Sequence, residues 1–173
     1  SFLKTPLRFN RISSRFSRAR KHPILGGLRP HYGVDYAAPI GTPIWAVADG
    51  VVVSCGWGNG FGKQVILRHM NGYRTLYGHL SGYGAGIRRG AKVKQKQVIG
   101  YVGSTGLSTG PHLDYRLMKD GHYRNPVKES FPPGQPVGPG ERQRFQKTKD
   151  ELIVYLEGET PFQKKRGGDR NLP

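Results

Sequence analysis

The sequence has little cysteine, few acidic residues and no long apolar run. Its 173 residues include one cysteine, Cys55, which excludes an internal disulfide and a cysteine-based zinc cluster. The longest apolar runs, residues 44–48 and 51–53, are far shorter than the ~20 residues that a membrane-spanning helix needs. We therefore expect no transmembrane segment, and no signal-peptide pattern opens the sequence.

The shortage of acidic residues leaves the chain strongly basic. It has 28 lysines and arginines against 11 aspartates and glutamates, a formal net charge of +17. A charge of this size attracts polyanions over long distances, so a nucleic-acid binder is one candidate class. The basic residues are spread along the chain, however, and no nucleic-acid motif accompanies them. We expect no specific nucleic-acid partner.

Glycine and proline are abundant and indicate the fold class. The sequence has 26 glycines and 13 prolines, and inside a helix these cost ~1 and ~3 kcal/mol each. A helical bundle is therefore disfavoured and a mainly β, turn-rich fold is predicted. Asn71-Gly72 and Asp120-Gly121 are typical of two-residue hairpin turns, and the glycine-rich stretch 56–62 indicates a flexible loop. We predict strands at residues 44–48, 51–55, 64–70, 73–80, 97–102 and 112–118.

The two ends of the chain differ from this β region. Residues 1–22 carry seven basic and no acidic side chains. Four of the arginines have helical spacing, but two serines and a proline favour an extended segment that lies on the domain. We therefore assign residues 1–130 to one domain that includes this basic segment. Residues 131–173 are expected to form a Pro/Gly linker, an amphipathic helix at 141–157 and a polar tail.

Histidines and aspartates concentrate in three short motifs: His31-x-x-x-Asp35, Tyr77-x-His79 and His112-x-Asp114. Residues i and i+2 of a strand point to one face, so His112 and Asp114 should face one spot, and Tyr77 and His79 likewise. Imidazoles and carboxylates from neighbouring strands would suit a zinc site with added acid and base groups. A lone histidine in a strand is more often a hydrogen-bonded or surface residue, so spacing alone leaves the site a hypothesis.

With their flanking residues, these motifs resemble the lysostaphin-type, or LytM-domain, zinc endopeptidases of bacterial peptidoglycan. The resemblance covers about residues 9–126, and its opening segment is most similar to the Gram-negative DD-endopeptidases that cut cross-links between peptide stems. The matching segments are Arg11-Ile-Ser-Ser-Arg-Phe16, His22-Pro-Ile-Leu-Gly26, His31-Tyr-Gly-Val-Asp35, Gly41-Thr-Pro-Ile44, Ala48-Asp-Gly-Val-Val52, Tyr77-Gly-His-Leu80 and Gly103-Ser-Thr-Gly-Leu-Ser-Thr-Gly-Pro-His-Leu113.

The resemblance implies a fold, a cofactor, a substrate and a location. The fold would be a set of antiparallel sheets that form a groove with a metal ion at its floor. The cofactor would be one divalent ion, Zn²⁺, and no other cofactor is expected. Peptidoglycan stem peptides would be the substrate, which places the protein in the cell envelope, in the periplasm or outside the cell. The sequence indicates no oligomeric state.

Carried over residue by residue, the resemblance makes His31 and Asp35 metal ligands. It makes His79 and His112 the catalytic histidines that activate water and steady the tetrahedral intermediate. The family's third ligand is a histidine two residues after the position of His112, where this sequence has Asp114. A carboxylate also binds zinc, so we expect Asp114 to be the third ligand. Zn²⁺ with one histidine and two aspartates totals zero charge rather than +1, which should make bound water less acidic.

The sequence therefore predicts a zinc-dependent metalloendopeptidase that hydrolyses the peptide cross-links of peptidoglycan. One alternative stays open: a degenerate LytM-domain protein without catalysis that binds cell wall or regulates another wall hydrolase. The remaining histidines match no ligand position, and we expect them at the surface or in structural roles; they are His22, His69 and His122.

Overall fold

The structure is a computed structural model that describes residues 2–21, 27–131 and 139–156. It contains two compact units, Ser1–Pro132 and Pro133–Pro173. The predicted linker, the polar tail and His22 lie largely or wholly outside the described residues.

The first unit contains twelve β-strands among its described residues. They are β1 (Arg11–Ser14), β2 (Ser17–Lys21), β3 (Leu28–His31), β4 (Val34–Ala37), β5 (Pro43–Trp45), β6 (Gly50–Gly58), β7 (Gly62–Arg68), β8 (Tyr73–Tyr83), β9 (Lys92–Val93), β10 (Val98–Val102), β11 (His112–Lys119) and β12 (His122–Arg124).

Ten of these strands form one sheet in which the central order is β1-β4-β11-β8-β7-β6-β9. Strand β10 pairs with both β5 and β8, β12 pairs with β11, and β2 and β3 form a separate two-stranded sheet. Every one of these pairings is antiparallel. The prediction of a mainly β fold built from antiparallel sheets is confirmed.

The two predicted hairpin turns are present, but the glycine-rich stretch 56–62 differs from its prediction. Asn71 and Gly72 have φ of 57° and 73°, and the Asp120-Gly121 pair is also left-handed, as such turns require. The stretch 56–62, however, is mostly strand, because Gly58 of β6 pairs with Gly62 of β7. The prediction of a flexible loop over all of 56–62 is therefore wrong. Glycine lacks a side chain but keeps the N–H and C=O groups that a ladder needs.

The core lies on one face of the central strands. On β11, Leu113, Tyr115 and Leu117 are buried, and Tyr115 lies opposite Tyr77 of β8 with the ring centroids 5.4 Å apart. The other face of β11 therefore carries His112, Asp114 and Arg116, because side chains alternate along a strand.

The basic N-terminal segment is extended and lies on this domain, as predicted. Leu7 is buried, the Leu3 amide donates to the Val47 carbonyl, and β1 pairs with β4. The segment thus joins the strand that carries Asp35.

The second unit contains α1, Pro139–Leu156, where a helix over 141–157 was predicted. Its Phe145, Leu152 and Ile153 side chains are exposed. Within the described residues α1 is the one helix, and it is not long and apolar enough to cross a membrane.

Candidate metal centre

Three predicted ligands converge where β3, β4 and β11 meet. His31 ends β3, and Asp35 of β4 lies directly opposite Asp114 of β11. The Nε2 atom of His31 lies 3.0 Å from Asp35 Oδ1 and 3.9 Å from Asp114 Oδ2. One ligand atom from each residue falls within 4.8 Å of the others, and all three residues are buried. The structure therefore brings together His31, Asp35 and Asp114.

The cluster fits a divalent cation in geometry and chemistry. Bonds of ~2.0–2.1 Å at tetrahedral angles put ligand atoms roughly 3.3 Å apart, close to the separations measured from His31 Nε2. In the neutral ring, the lone pair of this buried nitrogen accepts no hydrogen bond from any residue that the structure describes. An unsatisfied buried polar atom costs roughly 1–3 kcal/mol, which a bound cation would remove. One nitrogen and two carboxylate oxygens form an acceptable zinc donor set.

The backbone orients His31 toward the two carboxylates. Its Nδ1 lies 3.2 Å from the carbonyl oxygen of Arg15, between β1 and β2. A carbonyl can only accept, so Nδ1 carries the proton and Nε2 presents its lone pair in the neutral ring. Metal-binding histidines are commonly held in this way. The sequence provided no sign of this contact, because Arg15 is sixteen residues away along the chain.

The charges of the cluster favour a cation strongly. Burial lowers the pKa of His31, but hydrogen bonds and attraction from Asp114 and Asp35 outweigh it and raise the pKa to about 9. Burial raises the pKa of Asp114, yet hydrogen bonds from His31 and Arg116 outweigh it and hold the pKa well below its usual range. Without a metal ion, the site therefore takes up a proton between two carboxylates.

His79 reaches the site by an unusual backbone conformation. Regular alternation along β8 would put its side chain on the same face as that of Tyr77. Tyr77, however, lies in the core, where its hydroxyl oxygen accepts a hydrogen bond from the Val47 amide. The prediction that these two side chains share a face is wrong. His79 has φ of 62°, which turns its ring to the other face, 4.6 Å from the ring of His112. Left-handed non-glycine residues are costly and cluster at functional sites.

Two backbone carbonyls orient the rings of His79 and His112. His79 Nδ1 lies 2.7 Å from the Thr105 carbonyl, and His112 Nδ1 lies 2.8 Å from the Gly110 carbonyl. Both Nδ1 atoms therefore donate, which leaves the Nε2 atoms as proton acceptors in the neutral rings. Burial lowers the pKa of His79 and outweighs its backbone hydrogen bond, so this ring is neutral near neutral pH.

The loop between β10 and β11 supplies these carbonyls. In the structure, Thr105 Oγ1 donates to the Leu80 carbonyl and accepts from the Lys63 amide. Ser108 Oγ lies 3.3 Å from His112 Nδ1. The loop thus holds the histidine rings in place.

Arg116 is the site residue that sequence reasoning missed. Its Nε donates to Asp114 Oδ1 at 3.0 Å and its Nη2 donates to Oδ2 at 2.9 Å. The signal that could have found it is the i, i+2 spacing that also joins His112 to Asp114. The zero total expected from sequence for Zn²⁺, one histidine and two aspartates therefore leaves out a neighbouring positive charge. With Arg116 included, Zn²⁺ and two aspartates give a formal total of +1.

The other described histidines lie outside this cluster. His69 is buried in a structural role, with Nδ1 2.9 Å from the Asp49 carbonyl and Nε2 2.7 Å from Thr75 Oγ1. His122 is exposed on β12. Both outcomes agree with the surface or structural roles expected from sequence.

The proteins that resemble this chain in sequence and those that resemble it in structure include named peptidases. The chain is 42% identical over 157 residues to peptidoglycan DD-endopeptidase ShyC of Vibrio cholerae, covering 91% of this chain and 36% of ShyC. A crystal structure of a zinc-containing peptidase from Vibrio cholerae superposes with a TM-score of 0.70 and 33% identity, covering 76% of this chain and 41% of that one. The catalytic domain of the antimicrobial peptidase lysostaphin from Staphylococcus simulans has a TM-score of 0.60 and 37% identity, covering 68% and 89%.

The chain spans about a third of the length of the curated relative that it matches. The family model of peptidase family M23 matches residues 29–126. That range contains the cluster of His31, Asp35 and Asp114 and also His79 and His112. This chain therefore belongs to peptidase family M23.

Proposed function

We propose that this chain is a zinc-dependent metalloendopeptidase that hydrolyses peptide cross-links in bacterial peptidoglycan. The observation that carries the proposal is the convergence of His31, Asp35 and Asp114 beside two histidines that the backbone holds with their Nδ1 atoms protonated. A buried ligand set next to two oriented acid–base groups is what metal-assisted peptide hydrolysis requires.

The three ligands would hold the ion, and a bound zinc ion supplies a Lewis acid that polarises a carbonyl and makes water more acidic. His79, neutral because of its burial, is suited to accept a proton at Nε2. His112, whose ring lies 4.6 Å away, also donates its Nδ1 proton to a carbonyl. It would therefore donate to the developing tetrahedral oxygen or to the departing amine only from an Nε2 atom that has first taken up a proton.

The substrate class rests on similarity and on charge. The matched ShyC is named a peptidoglycan DD-endopeptidase, and the same bond class is the natural proposal for a chain of 42% identity. The net charge of +17 would draw the protein toward a wall that bears stem-peptide carboxylates. Because peptidoglycan lies outside the cytoplasmic membrane, we place the protein in the cell envelope, in the periplasm or outside the cell.

Elemental analysis and sacculus digestion test this function together. We expect about one zinc ion per chain, and we expect dimeric muropeptides to decrease as monomers appear. Treatment with a strong chelator should stop the reaction, and added zinc should restore it. Zinc binding without any loss of cross-links would instead support the wall-binding or regulatory alternative, and absence of both would overturn the proposal.

A further inference from the structure

We infer that Arg116 is a positioning residue of the metal centre, which holds the Asp114 carboxylate in its ligand orientation and offsets its charge. The inference rests on the proposed metal site and names a residue that no ligand or acid–base role accounts for. Asp114 and Arg116 would then act as one unit that replaces a single neutral ligand.

The contact between the two residues is a bidentate ion pair. Both guanidinium donors face both carboxylate oxygens, at 3.0 Å and 2.9 Å. The side chains are 18% and 6% exposed for Arg116 and Asp114. Fork-to-fork pairs of this kind fix the plane of the carboxylate as well as its position, and shielding from solvent strengthens them.

Aromatic rings fix the guanidinium in turn. It lies 4.4 Å from the centre of the Phe61 ring and 5.9 Å from that of Tyr123. The carbonyl of Phe61 also accepts the backbone N–H of His79 at 2.7 Å. The turn that supports Arg116 is thus the same turn that anchors His79, so the ligand and the acid–base group share one support.

The space around Asp114 allows little other arrangement. A Cβ at Gly33 would lie 2.6 Å from Asp114 Oδ1 and 2.9 Å from Arg116 Cγ. The carboxylate is therefore enclosed by the Gly33 backbone, by the guanidinium and by His31. Aspartate is shorter than histidine and has two equivalent oxygens, so an external clamp is what gives it one direction.

Arg116 also offsets the repulsion between the two carboxylates of the site. Asp35 and Asp114 lie directly opposite each other, and like charges at such positions repel. With Arg116, the formal charge of the filled site is +1, the total of a zinc ion held by two histidines and one aspartate. A carboxylate at 114 and a cation at 116 therefore keep the charge that a histidine at 114 would give alone.

Zinc affinity in a four-protein cycle tests the inference without using activity. The proteins are wild type, Arg116→Gln, Asp114→His and the double variant, each titrated with zinc against a chromophoric chelator. In the wild-type background, Arg116→Gln should weaken zinc binding roughly 10- to 100-fold, the usual range for a group that orients a ligand. In the Asp114→His background the same change should not weaken it, because no carboxylate remains to be held. Arg74→Gln, an exposed arginine on β8, is the matched control and should change nothing.

The outcomes separate the inference from the function on which it rests. Failure of the wild-type protein to bind zinc overturns the proposed metal centre. Zinc binding that is equal in wild type and Arg116→Gln overturns only the inference. Equal losses in both backgrounds would mean that Arg116 merely packs against Phe61 and Tyr123, which also overturns it. Should Arg116→Gln fail to fold by circular dichroism, Arg116→Lys keeps the charge without the fork and should still bind zinc more weakly than wild type.

Discussion

Asp35 and Asp114 are direct partners across the antiparallel pair β4–β11. Both residues are buried, and two carboxylates at opposed positions carry like formal charges. Such a pair is unfavourable by itself, so the fold depends on positive charge supplied at this place. Arg116 supplies one charge permanently, and a proton on His31 or a metal ion supplies the rest.

Zinc should stabilise the folded protein. A ligand at about one hundred times its Kd adds ~2.7 kcal/mol to the free energy of unfolding, or roughly 5–10 °C in Tm for a chain of this size. Thermal melts with added zinc and with chelator measure the difference. Asp35→Asn should remove it, because two remaining protein ligands hold zinc poorly. A zinc-dependent shift of normal size in Asp35→Asn would show that Asp35 is not a ligand.

The acid–base roles proposed for His79 and His112 should be separable from the proposed metal-ligand roles. His79→Ala and His112→Ala should keep zinc but lose ~10²–10⁴-fold in turnover, the range of general acid–base help. His31→Ala should lose both zinc and turnover. Metal content and cross-link hydrolysis need to be measured on the same preparations, with His122→Ala on exposed β12 as the control. Normal turnover in His79→Ala would contradict the role given to His79.

Asp114→Asn should weaken both zinc binding and the fold. The amide keeps the shape of the side chain but loses its charge, so zinc occupancy should fall. Arg116 would also lose its counter-ion, and breaking a buried pair costs roughly 3 kcal/mol. Urea unfolding of the metal-free proteins measures this cost. Asp150→Asn, at an exposed position on α1, should stay within about 0.5 kcal/mol of wild type, and an equally small effect at Asp114 would argue against the ion pair.

Gly33→Ala should disturb the centre although it removes no functional group. The added Cβ would lie 2.6 Å from Asp114 Oδ1 and 3.0 Å from the Tyr115 carbonyl. We expect a loss of ~1–3 kcal/mol in unfolding free energy, as for other overpacked sites, together with weaker zinc binding. Gly82→Ala is the control, because a Cβ there meets no heavy atom within 4 Å. Unchanged zinc affinity in Gly33→Ala would mean that the carboxylate can move without consequence.

Acid should destabilise the protein partly through His69. Burial lowers the pKa of His69 and outweighs its backbone hydrogen bond with Asp49. The unfolded chain therefore binds a proton near pH 6.5 that the folded chain does not, and stability falls as the pH drops below that value. Urea unfolding at about pH 7.5 and about pH 5 should show a smaller loss for His69→Gln than for wild type. His122→Gln should keep the wild-type loss, and a wild-type loss in His69→Gln would exclude His69 as a source.

The predictable part of this protein depends on neighbours in sequence. Turn types at Asn71-Gly72 and Asp120-Gly121 require only two residues with left-handed backbones, and alternation along β11 requires only the period of a strand. The His112-x-Asp114 pairing on one face follows from the same period. Resemblance to a family then placed His31, Asp35 and His79 beside it.

Only the tertiary structure decided what surrounds these residues. The register of β4 against β11 sets Asp35 opposite Asp114, and the carbonyls of Arg15, Thr105 and Gly110 fix which ring nitrogens are protonated. The side chain of His79 does not follow the alternation of β8, because its backbone is left-handed. Local sequence disfavours this conformation, so the surrounding strands must impose it. Arg116 was present in the sequence as an ordinary charged residue. Only the tertiary structure shows that its guanidinium packs on the Phe61 ring and pairs with the buried Asp114 carboxylate.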